Sequence, residues 1–271
     1  MIILAATPIG NLHDASPRLV AALESATVIA AEDTRVTQRL LAGLGVGNRP
    51  RLIAYHDHNE RERAGDIVRR ALDEDVVVLS DAGMPTVSDP GFFLVEEAVR
   101  ANVPLTVIPG PSAVITALAL SGLPTDRFTF EGFLPRKQGE RRSALTALAG
   151  EKRTMIFFES PNRLADALGE MALVFGTDRR AAVCRELTKL HEEVRRDTLD
   201  VLTEWASLGV RGEIVVVVAG APHRVSDPDA AVKQVLLLVQ EGMRLKDAAA
   251  EVSQETGLSR RDLYQAALEN R

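Results

Sequence analysis

The sequence predicts an α/β protein: two α/β domains facing a shared cleft, followed by a small helical C-terminal segment. Three observations carry that prediction. Short β-branched runs alternate with longer amphipathic stretches almost from the first residue, the pattern of strands alternating with helices. Many of the runs are apolar at consecutive positions, as in parallel strands covered on both faces. Nearly every run also leads directly into a dense cluster of polar, Gly or Pro residues, whereas connections at the opposite strand ends, Leu72–Asp75 and Asn102–Pro104, are short and plain.

In the first half the strand candidates are Ile2–Ala6, Thr27–Ala31, Arg51–Tyr55, Val76–Ser80 and Leu105–Ile108. Ser16-Pro17 reads as an N-cap followed by proline at the first helical position, where its missing N–H is not needed. Gly45 reads as the C-cap of a helix over Thr34–Leu44. Glu60–Leu72 and Gly91–Ala101 carry apolar residues at helical spacing. Gly122 and Pro124 interrupt the pattern, which sets the first domain at 1–121 and the second at 122–220. The second is expected to hold strands at Phe128–Phe130, Thr154–Phe158, Ala181–Cys184, Val194–Thr198 and Ile214–Ala219 in a mixed sheet. Its helices fall over Arg141–Leu148, Leu164–Val174 and Leu199–Leu208. A Gly/Pro/Asp/Ser-rich link over Gly220–Asp229 leads to a tail, 228–271, with helices at Ala230–Val239, Lys246–Glu255 and Ser259–Leu268. Gly257 at a turn and Ser259 as the next N-cap give the tail the spacing of a helix-turn-helix.

Composition excludes several classes. The 271 residues hold 32 Lys+Arg against 38 Asp+Glu, a formal charge of −6, so nucleic-acid binding would rest on local patches. The single cysteine, Cys184, excludes an intrachain disulfide and a zinc-type Cys/His cluster. The apolar start, Met1 to Ala6, follows no basic segment, and the other apolar runs fall far short of the ~20 residues a bilayer requires. A soluble cytoplasmic chain is the expectation. No G-x-G-x-x-G follows the first strand and no Walker A motif occurs, which argues against nicotinamide hydride transfer and P-loop phosphoryl transfer. Glu32, Asp33, His56, Asp57 and His58 offer metal-type ligands without a metal-site spacing, so no metal is expected. G-x-S-x-G is absent, and Cys184 reads as packing.

The polar clusters point to an active site, because ligands of open α/β sheets bind outside the carboxyl ends of the strands. They are Thr7-Pro8-Ile9-Gly10-Asn11, Glu32-Asp33-Thr34-Arg35, His56-Asp57-His58-Asn59, Ser80 to Gly91, Pro109-Gly110-Pro111-Ser112, Glu159-Ser160-Pro161-Asn162-Arg163 and Arg185-Glu186-Leu187-Thr188-Lys189. His56 and His58 would face the same way if their strand continued. The Gly and Pro residues of Asp81-Ala-Gly-Met-Pro and Pro109-Gly-Pro-Ser suit a close approach of backbone to a ligand.

These clusters, in this order from about Ile2 to Gly220, resemble the bacterial small-subunit ribosomal RNA ribose 2′-O-methyltransferases of the tetrapyrrole methylase superfamily. The segment Ser80-Asp-Ala-Gly-Met-Pro-Thr-Val-Ser-Asp-Pro-Gly is the most specific of them, with Met84 standing where the family's pattern has Thr. The resemblance implies two α/β domains holding S-adenosylmethionine between them, a homodimer, and methylation of a cytidine ribose 2′-oxygen in the small ribosomal subunit. Carried over residue by residue, it implies cofactor contacts at Pro8, Asp81, Gly83, Val87, Ser112, Ala113, Phe158, Leu187 and Ile214.

Methyl transfer to a hydroxyl is an in-line displacement that needs a held geometry and either a general base or a cation beside the developing alkoxide. The catalytic candidates are Glu32, Asp33, Glu186 and Lys189, with Lys189 as the alkoxide stabiliser; the plainer reading of the same residues is a set of local ion pairs. Arg35, His56 and Arg163 are candidates to grip RNA phosphates. So is Arg136-Lys137-Gln-Gly-Glu-Arg141-Arg142, four cations against one anion, read as a loop kept mobile by Gly139; a solvated helix start is the rival reading. The tail from His223 holds seven Lys+Arg and eight Asp+Glu, which favours packing over RNA docking. Two alternatives remain at this level: a precorrin-type tetrapyrrole C-methyltransferase, and a ligand-sensing helix-turn-helix regulator.

Overall fold

The computed structural model describes residues 1–56, 59–222 and 227–270. Asp57 and His58 of the predicted histidine pair lie outside them, as does part of the predicted Gly220–Asp229 link.

Five parallel strands, β1 (Ile2–Ala5), β2 (Val28–Ala31), β3 (Arg51–Ala54), β4 (Val76–Leu79) and β5 (Leu105–Ile108), form a first sheet in the order β3-β2-β4-β1-β5. Strands buried on both faces sit at its centre: all four residues of β2 and of β4 are buried, whereas β3 and β5 at the edges are partly exposed. Between the strands run α1 (Pro17–Ser25), α2 (Thr34–Gly43), α3 (Glu60–Arg70) and α4 (Phe92–Arg100). As predicted, Ser16 caps α1, its hydroxyl accepting from the Leu19 N–H with Pro17 at the first helical position. Leu44, not Gly45, is the C-cap of α2; Gly45 follows with φ 71°, the left-handed residue that stops the helix. Buried Glu60 ties α3 to α4: its Oε1 accepts from Tyr55 Oη, Gly91 N and Phe93 N at 3.1, 2.7 and 3.1 Å, satisfying donors that α4 leaves open at its start.

α5 (Ala113–Ser121) leaves β5 but does not cover the first sheet. Its buried Val114, Ala117 and Leu118 pack on the second sheet, against Ile156, Ala182, Cys184, Val215 and Val217. The helix is apolar almost all round, though Ile115 on its outer side is 52% exposed. It precedes the sequence boundary at 121 yet belongs by packing to the sheet that follows.

That second sheet is mixed, as expected. It contains β6 (Phe128–Phe133), β7 (Thr154–Glu159), β8 (Arg180–Arg185), β9 (Glu193–Thr198) and β10 (Ile214–Val218), in the order β6-β7-β10-β8-β9. β6 and β7 are parallel; β10 runs antiparallel to both β7 and β8. β6 extends past its predicted end through a bulge between Phe130 and Gly132, and Gly132 at φ 66° supplies the conformation the bulge requires. The outer face is closed by α6 (Gln138–Ala147), α7 (Leu164–Phe175) and α8 (Leu199–Ser207), whose Leu145, Leu168, Met171 and Leu202 join Met155, Phe157, Val183 and Val216 in one core. Each such side chain contributes roughly 1.5–3 kcal/mol by leaving water.

One local expectation fails here. Gly139 is not in a mobile loop: the helix starts at Gln138, three residues before its predicted onset, because Arg141 and Leu145 form a buried stripe one turn apart.

Residues Gly220–Arg271 form a separate unit. It holds α9 (Pro228–Gln240), α10 (Leu245–Thr256) and α11 (Arg260–Glu269) around Val235, Ala248, Ala249, Val252 and Leu263. Gly257 is left-handed at φ 72° and the Ser259 hydroxyl accepts from the Asp262 N–H, the turn and cap read from the sequence.

Candidate functional site

Within the unit Met1–Ala219, a cleft of about 440 Å³ opens where the carboxyl ends of β1 and β4 meet those of β7 and β8. The first sheet's rim is knitted by backbone. The Thr7 N–H donates to the Gly83 carbonyl at 2.9 Å and the Gly83 N–H returns to Thr7 at 3.1 Å. That bridge buries Pro8 and turns the next residue, Ile9, into the cleft. The other eight positions implied as cofactor contacts, Asp81, Gly83, Val87, Ser112, Ala113, Phe158, Leu187 and Ile214, all line it; Pro8 does not. Gly83 is at φ 81°, a conformation that disfavours any side chain at the cleft wall.

The walls combine apolar surface with a few carboxylates. Phe158 meets Phe130 and Phe133 edge-on, with centroids 4.9 and 5.5 Å away, and Phe133 lines the cleft while remaining 60% exposed. Glu32 and Asp81 stand opposite. The Asp81 N–H donates to Glu32 Oε2 at 3.2 Å and the Asp33 N–H donates to Asp81 Oδ1 at 3.0 Å, so the loops after β2 and β4 hold each other. Burial pushes the Asp81 carboxyl above its ordinary pKa, against the hydrogen bond from Asp33.

Asp33 is engaged with its own helix. It caps α2 through the Arg35 N–H at 2.8 Å and grips the Arg35 guanidinium at 3.1 and 2.8 Å. Those bonds lower its pKa to about 2. Asp33 and Arg35 thus form the local ion pair of the plainer reading, with the Arg35 side chain still largely exposed.

Glu186 and Lys189 also pair, but as part of a larger group. Lys189 Nζ lies 2.9 Å from Glu186 Oε1 and 3.0 Å from Glu213 Oε2. Glu186 Oε1 also accepts from the Glu213 N–H at 2.9 Å. That bond and the one from Lys189 hold the Glu186 carboxyl below its ordinary pKa. Burial alone pulls the Lys189 ammonium down, but its hydrogen bonds to Glu186 and Glu213 outweigh it and leave the pKa raised. Lys189 is therefore a cation at neutral pH. Glu186 and Thr188 have φ of 51° and 66°, and Thr86 and Ser88 on the opposite rim have 77° and 64°; residues held in this sparsely populated region tend to cluster at functional sites. Glu213 lines the cleft, unlike Glu186 and Lys189, and was missed in the sequence because it precedes a strand instead of following one.

The predicted phosphate-gripping residues divide. Arg136 is exposed. Lys137 pairs with Glu140 at 2.9 Å, and Arg142 with Glu170 at 2.9 Å. Arg141 is buried. Arg163 turns inward, its Nη2 donating to the Leu134 and Pro135 carbonyls at 2.7 and 3.0 Å, so it braces the loop after β6 instead of reaching outward. His56 is half-buried beside Asn59, whose Nδ2 lies 3.3 Å from its Nε2. Buried Cys184 has its thiol pKa pushed up to about 11, which suits the packing role expected of it.

With this geometry in place, comparison with known proteins identifies the fold. Residues 1–203 match the family model "Tetrapyrrole (Corrin/Porphyrin) Methylases", and residues 226–271 match that of the "RsmI C-terminal HTH domain". The chain is 48% identical to a "Ribosomal RNA small subunit methyltransferase I" of Mycobacterium tuberculosis, covering 100% of this chain and 95% of that one. Among solved structures it resembles the methyltransferase CobJ, with TM-score 0.61 and 22% identity over 81% of this chain and 94% of that one. It also resembles a uroporphyrin-III C-methyltransferase of Thermus thermophilus solved with S-adenosyl homocysteine, with TM-score 0.54 and 20% identity over 80% and 96%.

Proposed function

The chain belongs to the tetrapyrrole methylase family, and from that premise we propose that it methylates the ribose 2′-oxygen of a cytidine in small-subunit ribosomal RNA, using S-adenosylmethionine. The observation that carries this reading is the 48% identity to a ribosomal RNA small subunit methyltransferase over the whole chain. It is supported by a cleft lined with eight of the nine positions the resemblance implies as cofactor contacts. The two solved tetrapyrrole methylases compared above are 22% and 20% identical and share the fold alone, so a corrinoid substrate is not favoured. The regulator reading is not favoured either, because the helix-turn-helix accounts for only the last fifth of the chain.

The residues present fit the donor. S-adenosylmethionine supplies, when bound, an electrophilic methyl group on a positively charged sulfur. The cleft falls within the range of ordinary small-molecule sites. Phe133, Phe158, Leu187 and Ile214 provide apolar surface for a flat base, and the carboxylates of Glu32, Asp81 and Glu213 favour a cation. Gly83 and Ser112 bring backbone close to the ligand.

The chain's own chemistry concerns the ribose hydroxyl, a poor nucleophile until its proton leaves. Glu213 is our candidate to take that proton, since it is a cleft-lining carboxylate with a side chain 78% exposed. Lys189, fixed between Glu186 and Glu213, is held as a cation to stabilise negative charge on the oxygen. The reading extends to a homodimer acting in the cytoplasm; no helix among the described residues is long and apolar enough to cross a membrane.

The test is incubation with methyl-labelled S-adenosylmethionine and assembled small subunits. Label recovered in ribosomal RNA as a methylated ribose is the expected result. Label in a porphyrinoid and none in RNA would replace this reading with the C-methyltransferase.

A further inference from the structure

The second sheet carries another cleft, of about 690 Å³, that methyl transfer does not use. It lies between the β6–α6 connection, α6 and the start of α7, and its walls include Arg136, Gln138, Arg141, Arg163, Asp166 and Glu170. Arg141 sits on the buried side of α6, only 6% exposed, and its Nε has no hydrogen-bond partner among the described residues. The Nε of Arg163, on the same cleft, is likewise buried and unpartnered. Buried donors are almost always paired, because one left without an acceptor keeps its full desolvation penalty. The unpaired Arg141 donor points to an acceptor that arrives from outside; Arg163 already has the Glu159 carboxylate 3.5 Å from its Nη2.

Of the carboxylates at hand, Glu170 is fully engaged, while Glu159 keeps one buried oxygen, Oε2, without a hydrogen-bond partner among the described residues. Glu170 accepts from Arg142 Nε and Nη2 at 2.9 and 3.1 Å and from Gln138 Nε2 at 2.7 Å. Glu159 accepts from the Ser160 N–H at 2.8 Å and stands 3.5 Å from Arg163 Nη2. Three guanidinium groups, those of Arg136, Arg141 and Arg163, and two carboxylates, those of Asp166 and Glu170, line the cleft, which leaves it positive. Its position is also telling. Glu159 lines the methyl-transfer cleft and Arg163 the second one, so this ion pair reaches from one to the other.

We propose that the second cleft binds one phosphate group, a phosphodiester of the same RNA strand whose ribose enters the first. Arg141 and Arg136 supply the forked donors that phosphate oxygens accept, while the Arg163–Glu159 pair links the two clefts. This inference rests on the ribosomal RNA reading above. It gives the basic segment a role different from a mobile loop sweeping along a backbone: one fixed anchor that sets the register of the strand.

The experiment uses the full chain, small-subunit ribosomal RNA and two variants. Arg141→Met keeps an unbranched stem on the buried face and removes the donors; Arg136→Ala removes the exposed cation. Arg141→Lys stands in if the methionine variant fails to fold. Arg141→Met and Arg136→Ala are each expected to weaken RNA binding ~10-fold and to lower the slope of log affinity against log salt by about one, whereas Arg141→Lys, which keeps the charge and loses the fork, weakens binding with the slope unchanged. KM for RNA rises accordingly, while kcat, affinity for S-adenosylhomocysteine and melting temperature stay at the wild-type values. RNA affinity and salt slope unchanged in folded variants, with ribosomal RNA still methylated, would overturn the anchor alone. So would calorimetric binding of inorganic phosphate that Arg141→Met abolishes without weakening RNA binding, which would make this a site for a free anion. A wild-type chain that leaves ribosomal RNA unmethylated overturns both the anchor and the reading beneath it.

Discussion

The Lys189 side chain lies across Gly10 so closely that a Cβ on the glycine would meet Lys189 Cγ at 2.5 Å and Cε at 2.9 Å. Gly10 follows β1 in the first sheet and Lys189 follows β8 in the second, so the contact joins the two carboxyl rims. The missing Cβ is what lets the lysine stem pass and its Nζ reach Glu186 and Glu213. Gly10→Ala is expected to displace that ammonium and reduce turnover ~100-fold, the scale of a 1 Å misplacement, with cofactor affinity unchanged. Steady-state kinetics beside calorimetry checks it; wild-type turnover in the variant would mean the contact is packing only.

Lys189→Ala removes the cation itself. We expect kcat to fall ~10²–10³-fold, as for loss of one donor to a developing oxyanion, with no change in affinity for S-adenosylhomocysteine. Because the lysine's pKa is raised above its ordinary 10.5, the wild-type rate should show no decline from lysine deprotonation near neutral pH. An alkaline limb near neutrality that disappears in Lys189→Ala would contradict the assignment of a permanent cation.

Asp33 links stability to acid. Its folded pKa of about 2 lies below the ordinary 3.8, so the unfolded chain takes up the proton first. The stabilisation from its Arg35 bonds is complete above about pH 4 and is lost as pH falls toward 2. The denaturation midpoint of Asp33→Asn should therefore lie below wild type at pH 6, and the gap should narrow steadily on acidification. A gap independent of pH would show that the cap works without its charge.

Cys184 should resist thiol reagents. Burial between α5 and the second sheet raises its pKa to about 11, and the thiolate is the reactive form. Native chain at pH 8 is expected to react only after denaturant is added. Prompt stoichiometric labelling would place the thiol nearer solvent than the packing shows.

Much of this was legible in the sequence, and what was not has identifiable causes. Apolar runs such as Val76–Leu79 and Ile214–Val218 announce central strands because both their faces are covered. The polar clusters after them mark the cleft because parallel strands all end on one side. The same logic hid Glu213: β10 runs antiparallel to β7 and β8, and its first residue, Ile214, pairs with Glu159 and Arg185. Residues before this strand thus sit where residues after the others do. α5 carried no mark of which sheet it would cover, since a helix apolar on nearly every side is compatible with either. The basic segment looked uniformly solvated, yet Arg141 falls on the helix stripe occupied by Leu145, and only the fold of α6 against α7 separates it from its exposed neighbour Arg142. Ion-pair partners distant in sequence, such as Glu170 for Arg142, leave no local signal at all.

The methyl donor is expected to bind in the cleft between the two rims. Titration calorimetry of S-adenosylhomocysteine into the wild-type chain, and into Ala113→Phe with a ring placed on the cleft wall, tests this directly. One site per chain is expected in the wild type, with at least ~10-fold weaker binding in the variant at an unchanged melting temperature. Absence of heat in the wild type, or equal affinity in both proteins, would contradict it.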